Sequence, residues 1–563
     1  MARERNNDNR AVSASSKTDD RDVSSKKQGQ KKTRSQNARG KKRGYSNKNS
    51  SERNQHGEQF SRYATRGQSA ANDISWYSRY PELLAAAASI PYPYRPGMQP
   101  NFQTNVWSDV QAFENPTIPG VLSMTFIPSI GKTTTATDPA SIAVKEIYAK
   151  VRAAYSGALS ADPPDFMIYL LALDSIFSYI AWLKRIFRSL NAYSPMNYQL
   201  PTALLRAYGL QDSEIQELRQ SKTDLWQAIN TLVLMTHKFT CPAIMDFFNR
   251  HYWMNDNVYT DTNSINAQLY VFNQDRWYRF KMLPENNAPS VLVGGVSMYS
   301  PRVPNDQQTN AVINVSSLLA FGESLIQALA AWDEGYTIAG YLARAYENVP
   351  SFVVDEIAID EQITPVYSEE VLSQIENSVS LGLEGTNLNY TSLDITQNVP
   401  MNIIYWNGNI TATSDLTDYM KKNGNISPYV SLRSDAPTVA DTVIATRLKI
   451  YFSHTELTSS DQYEFAVQCA TEIPLNWMLY SINGTRTMWP SMFSFSTGTA
   501  AAALIDSFRR VAMISQFDWH PLSILQTTNA VSSTSEVIGD IHNITTLTPK
   551  QLSEIHRVCV YSE

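Results

Sequence analysis

The chain has 563 residues, 43 % of them hydrophobic and 11 % aromatic, enough apolar matter to bury sizeable cores. Its three scattered cysteines, Cys241, Cys469 and Cys559, exclude a disulfide framework. The 47 basic and 53 acidic side chains divide unevenly: residues 1–66 carry 18 and 7, a net +11, which leaves 29 and 46, a net −17, for the rest.

Residues 1–66 have few aromatic or branched aliphatic side chains and many Ser, Asn, Gln and Gly. Such a segment buries too little apolar surface to offset its ordering entropy and is expected to be disordered when free. Its centre, KKQGQKKTRSQNARGKKR, holds Lys26, Lys27, Lys31, Lys32, Arg34, Arg39, Lys41, Lys42 and Arg43 with no acid among them. A nuclear signal needs only about five to eight such residues, and a lipid-binding segment would add an apolar face that is missing here. Lys and Arg distributed among small polar residues suit sequence-independent neutralisation of a nucleic-acid backbone. The first thirty residues lack the apolar core of a signal peptide, so synthesis in a reducing cytosol is expected.

Residues 67–100 read as an arm. The stretch NDISWYSRYPELLAAAASIPYPYRPG (Asn72–Gly97) moves from an aromatic cluster through a short Leu/Ala helical run into proline-spaced extended chain. VLSMTFIP follows as a strand, and GKTTTATDPAS as a polar turn. In DPPDFMIYLLALDSIFSYIAWLKRIFRSL, Asp162 can cap, Pro163 suits the first helical position and Asp165 adds an acid to the first turn. A helix of about 25 residues ending at Leu190 is predicted. It is long enough to cross a membrane, but Asp174, Ser175 and Ser178 at its middle are costly in lipid. A buried core helix, with no stable membrane span, is therefore expected.

Further helices are predicted over Ser213–Phe239, with Ser213 as cap, Ser316–Ala331, Tyr336–Tyr346, Ser368–Ser380, Ala500–Ser515 and Thr548–Val558, the last with Thr548 as cap and Pro549 at the first position. Strand-like runs lie between them: QLYVFNQDRWYRFKML, PSVLVGGVSMYS, MNIIYWNGNITATS and DTVIATRLKIYFSHTEL. The fold class is predominantly α-helical α+β. The Asn/Thr/Ser/Gly-rich stretch Gly382–Ser434 reads as exposed and loop-laced.

Motifs that could carry chemistry are weak. GKTT (Gly131–Thr134) resembles part of a phosphate loop, but phenylalanine stands at 126 where that loop needs glycine, so a surface turn is the better reading. His237 with Cys241 and His556 with Cys559 could together make a zinc site. The pairs lie far apart in the chain and in unusual order, which favours a core histidine and buried thiols. Asp355, Glu356, Asp360 and Glu361 alternate with Val and Ile, as a solvated face beside a buried one does. No nucleophile elbow, zinc-protease helix, dinucleotide fingerprint or polymerase Gly-Asp-Asp is present. No catalytic residue, metal or cofactor is expected.

A basic tail, a proline-and-aromatic arm and a large acidic body without catalytic motifs suit a viral capsid protein. The blocks Asn72–Gly97 and Asp162–Pro195 resemble the capsid proteins of picobirnaviruses, small viruses with a segmented double-stranded RNA genome. The resemblance implies a helix-rich capsid subunit that forms intertwined homodimers, which close an icosahedral shell around genomic RNA and the viral polymerase. It implies residence in the virion, after assembly in the host cytoplasm. On this view residues 1–66 are the RNA-facing tail, 67–100 the arm, 101–260 the first part of a helical shell domain and 261–499 a projecting domain of strands and loops. Residues 500–563 would be C-terminal helices returning to the shell. Such families can lose the basic peptide by autoproteolysis; Asn72 is then a candidate processing boundary, though a helix cap is the plainer role. Two alternatives remain: a cytosolic nucleoprotein that coats RNA, and a capsid protein of another double-stranded RNA virus family.

Overall fold

The computed structural model describes residues 80–88, 120–192, 200–262, 267–304, 311–383, 388–412, 429–456, 460–468, 471–480, 486–489, 492–496, 517–528, 533–538 and 542–561. The basic residues from Lys26 to Arg43, Asn72, most of the arm and the helix expected over Ala500–Ser515 fall outside these. The chain divides into two units, Met1–Tyr92 and Pro93–Glu563. In the first, the expected Leu/Ala run forms helix α1 (Pro81–Ala88).

The second unit opens with strand β1 (Val121–Pro128), then α2 (Pro139–Ala154), α3 (Pro163–Leu190), α4 (Leu200–Ala207), α5 (Asp212–Gln220), α6 (Lys222–Thr236) and α7 (Asp246–Asp256). Strands β2 (Tyr259–Thr260) and β3 (Leu269–Gln274) return to β1, and β4 (Trp277–Pro284) and β5 (Leu292–Tyr299) make a hairpin. Helices α8 (Val315–Ala330), α9 (Asp333–Ala345) and α10 (Glu369–Glu376) precede short strands β6 (Thr396–Asn398), β7 (Ile403–Tyr405), β8 (Asn409–Ala412) and β9 (Tyr429–Leu432). After α11 (Val439–Ala445) come β10 (Ile450–Glu456), β11 (Asp461–Gln468), β12 (Glu472–Tyr480), β13 (Arg486–Trp489) and β14 (Met492–Ser496). The chain closes with β15 (Ser523–Thr528), β16 (Ser533–Ile538), β17 (Asn543–Thr546) and α12 (Pro549–Val560). The protein is a helix-rich α+β fold.

The central sheet has the order β13-β12-β1-β3-β2. β1 runs parallel to β3, which requires a long crossover, and α2 to α7 supply it. The sheet is covered on both faces. Leu122, Met124 and Phe126 meet Tyr270, Phe272 and Trp477 on one side, while Val121 and Ile127 join the core built on α3. That double burial explains why apolar residues stand on both faces of VLSMTFIP, where the buried Ser123 hydroxyl is satisfied by Ala207 O (3.0 Å).

α3 starts as expected: the Asp162 N–H donates to Asp165 Oδ2 (2.8 Å). Its apolar stretch is wholly buried inside the protein, against α2, α6, α7, α8 and the β4–β5 hairpin. Its basic end is buried too. Arg185 donates to the carbonyls of Met254 (3.0 Å) and Asn257 (3.2 Å), and Lys184 to that of Asp355 (3.0 Å). The carbonyls at the end of α7 and the loop carbonyl of Asp355 take the place of water around the cations.

Several expectations need correction. The helix over Ser213–Phe239 is two helices, α5 and α6, broken at Ser221, and Gln211 rather than Ser213 caps it. Between Leu218 and Leu225 the sequence RQSKTD has no apolar residue to hold a continuous stripe against the core. The helix over Ser368–Ser380 stops at Glu376, because the Asn377 side chain leaves to pair with both backbone groups of Ser431 on β9 (2.8 Å each). The start of DTVIATRLKIYFSHTEL is helical, with the Thr438 hydroxyl accepting from Asp441 N (3.2 Å). The supposed turn before Ala140 ends in α2, with Pro139 in its first turn. Gly382–Ser434 contains four short strands, and Ile395 just before the first of them, with Ile404, Ile410 and Val430 within them, is buried. In the C-terminal segment, β15, β16 and β17 stand beside the single expected helix, α12, among the described residues.

The core also ignores the boundary drawn at residue 260. β3 pairs with β1, and β4, β5 and α8 pack on α3. Composition reports surface polarity, whereas strand pairing joins segments far apart in sequence.

Candidate functional site: a buried charge network around His251

Asp174 lies halfway along α3, where a buried carboxylate must find a counter-charge or stay neutral. Helix α7 crosses there and brings His251 Nδ1 to 2.6 Å from Asp174 Oδ2. On the other edge of the ring, His251 Nε2 is 3.2 Å from Glu472 Oε1, an ionic contact without hydrogen-bond geometry. Glu472, the first residue of β12, accepts from Arg250 Nε (2.7 Å) and Thr471 Oγ1 (2.7 Å). Arg250 Nη1 donates in turn to Gln374 Oε1 on α10 (2.9 Å). The four charged side chains are at most 3 % exposed.

Two carboxylates therefore face two cations in the buried interior. Burial alone would lower the His251 pKa, but Asp174 and then Glu472 raise it to about 9. Burial would raise that of Glu472, yet Arg250, His251 and Arg447 hold it well below the usual carboxylate range. Burial pushes Asp174 up against the pull of His251.

Asp174 and His251 resemble two thirds of a hydrolytic triad. The remaining ring nitrogen, however, faces a carboxylate rather than a nucleophile, and an imidazolium held to about 9 cannot accept a proton at neutral pH. The arrangement does a different job: it pins α3, α7 and β12 to one another at the centre of the fold. The lone acid in an apolar helix was the only sequence signal for it, since His251 and Glu472 lie far along the chain.

The sign of its pH dependence follows from the shift. Folded His251 titrates near 9 against 6.5 ordinarily, so its contribution is complete below about pH 6.5 and is lost as pH rises through about 9. The urea midpoint is expected to fall across that window, and to fall less in His251→Asn. A midpoint flat from pH 6.5 to 9.5 would remove the imidazolium from the account.

The other candidates from the sequence have structural partners. The N–H groups of Thr134 (2.6 Å) and Thr135 (2.8 Å) go to Asp138 Oδ2, that of Thr133 to Trp406 O (2.9 Å) and that of Gly131 to Ser129 Oγ (3.0 Å). None of these is left to cradle a phosphate, and Lys132 pairs with Glu464. Gly131 has φ +75°, and a Cβ there would sit 2.5 Å from His556 Nε2, which itself contacts Ile130 O (3.1 Å). Cys241 is buried with its Sγ 3.5 Å from Pro242 O; Cys559 is buried in α12. Among the described residues no group of three His, Cys, Asp or Glu is placed to hold a metal ion. Asp355, Glu356 and Asp360 are exposed while Val354 and Ile357 are buried, the solvated face expected, and Glu361 lies 3.7 Å from Arg188.

Comparison with known proteins places this architecture. Residues 76–470 match the family model of the picobirnavirus capsid protein. The capsid protein precursor of a human picobirnavirus (strain Human/Thailand/Hy005102/-) is 24 % identical over 518 residues, covering 88 % of this chain and 91 % of that protein. The X-ray crystallographic structure of the picobirnavirus capsid superposes with a TM-score of 0.68 at 20 % identity, covering 87 % of this chain and 98 % of the other, and so shares the fold. A family match that spans most of the chain, and a fold shared along nearly all of it, lead to one conclusion: the chain belongs to the picobirnavirus capsid protein family, structural proteins of the virion of a double-stranded RNA virus.

Proposed function

We propose that the chain self-assembles, by way of homodimers, into an icosahedral shell enclosing a double-stranded RNA genome and its polymerase, after synthesis in the host cytoplasm. Its role is structural rather than catalytic. The observation that carries this reading is the division of charge in a capsid-family chain, +11 in residues 1–66 against −17 in the remainder. Many copies of a basic tail confined within a shell neutralise phosphates and release counterions without reading sequence, with Lys26 to Arg43 as the contacting run. The acidic remainder repels RNA, which keeps nucleic acid off the outer surface. It also weighs against a nucleoprotein that coats RNA, for which basic residues would be spread over the folded part. We place the outward-projecting part among those segments of residues 261–499 that do not pack on α3.

The test compares the full-length chain with one lacking residues 1–66, by negative-stain electron microscopy and absorbance at 260 and 280 nm. Closed particles from both, with nucleic acid only in the full-length sample, are expected, and the bound RNA should decline as salt is raised during assembly. Monomers or open filaments across a range of salt would favour the RNA-coating alternative.

A further inference from the structure

The far end of the β4–β5 hairpin and the turn between β6 and β7 meet at the surface. Pro284 pairs with Leu292 and Met282 with Gly294, so Met282, Pro284 and Leu292 share one hairpin face. The second turn is fastened to it: Thr396 Oγ1 donates to Pro284 O (2.8 Å), Val399 N to Glu285 Oε1 (3.2 Å) and Asn286 N to Gln397 O (3.1 Å). Gln397 Nε2 ties the pair to the core through Asp165 Oδ1 (2.8 Å) at the start of α3. Asn402 holds the turn at φ +53°, a conformation asparagine tolerates.

This preformed knob exposes Met282 (47 %), Val291 (49 %), Leu292 (59 %), Val399 (51 %) and Met401 (46 %) together. Between Met282 and Leu292, and between Val399 and Asn402, the sole charged residue is Glu285, and it is 3 % exposed because it holds the Val399 N–H. Single exposed apolar residues need no explanation, but five on two hydrogen-bonded turns, with no exposed charge in either turn, have the composition of an interface core.

We infer that this knob is a contact surface whose partner is a second copy of the chain. The inference rests on the shell-building reading above. Charge argues for the occupant: two bodies of net −17 repel over most of their surfaces, so copies approach at least cost where no charge is exposed. The same net charge disfavours an anionic lipid surface.

Leu292→Asp and Met401→Asp place a charge in the knob without touching the core. Val439→Asp, at a position 83 % exposed on α11, is the control. Sedimentation velocity over a concentration series, with far-UV circular dichroism to confirm folding, should show the two knob variants associating only at about tenfold higher concentration or more. Val439→Asp should match the wild type. Knob variants that associate like the wild type overturn the inference; if they instead lose binding to phosphatidylcholine vesicles, the knob faces lipid. A wild-type chain that forms small oligomers but no closed shell sinks the shell reading alone, and dissociation of those oligomers by Leu292→Asp still supports the contact.

Discussion

Glu472→Gln is expected to destabilise the fold by roughly 3–5 kcal/mol, because it strands the buried Arg250 and His251 cations without their shared carboxylate. The glutamine keeps the size and can still accept one hydrogen bond, so the loss reports charge rather than shape. Urea unfolding of the chain lacking residues 1–66 measures it, and a midpoint within error of the parent would show that the network contributes nothing. Replacing Asp174, His251, Arg250 and Glu472 together by apolar residues should cost far less than Glu472→Gln alone, since no charge is then left unpaired in the interior. Non-additivity of that kind separates a closed network from four independent contacts.

Trp277→Ala should cost about 3–5 kcal/mol by opening a cavity at the aromatic centre of the fold. The Trp277 ring is 5.2 Å from Tyr179, 5.4 Å from Trp182 and 6.1 Å from Phe321, joining β4 to α3 and α8. The Tyr179 hydroxyl donates to Leu318 O (2.8 Å), so the cavity would also loosen a link between the two helices. Trp277→Phe, which keeps most of the buried ring, should lose markedly less. Equal losses for Phe and Ala would point to a cause other than packing. Neighbouring Gly322 shows how tight this region is, since a Cβ there would meet Leu232 at 2.6 Å and Tyr179 at 3.0 Å.

Local signals in the sequence suffice where they are self-contained. Asp162, Pro163 and Asp165 marked the start of α3, and Thr548 with Pro549 marked α12, because capping and the first-turn preference of proline act within a few residues. Asn314, two residues before the predicted start of α8, caps it by accepting from Ser317 N (2.8 Å) in the same local manner. Local signals do not suffice where a distant partner decides the outcome. The end of α10 depends on Ser431, 54 residues beyond Asn377, and the buried strands of the Asn/Thr-rich stretch owe their burial to neighbours that composition does not reveal.

The sequence by itself determined the charge division between tail and body, the central apolar helix, the helix-rich α+β class and the resemblance to a capsid family. Each of these follows from contiguous residues, whose charge, period or caps need no knowledge of the rest of the chain. Only the tertiary structure decided that β1 and β3 pair in parallel across a helical crossover, that one core spans residue 260, and that Asp174 meets His251 and Glu472. The physical reason is that a buried charge must be matched and a strand edge must be paired, but the sequence does not state which of many distant residues supplies the partner.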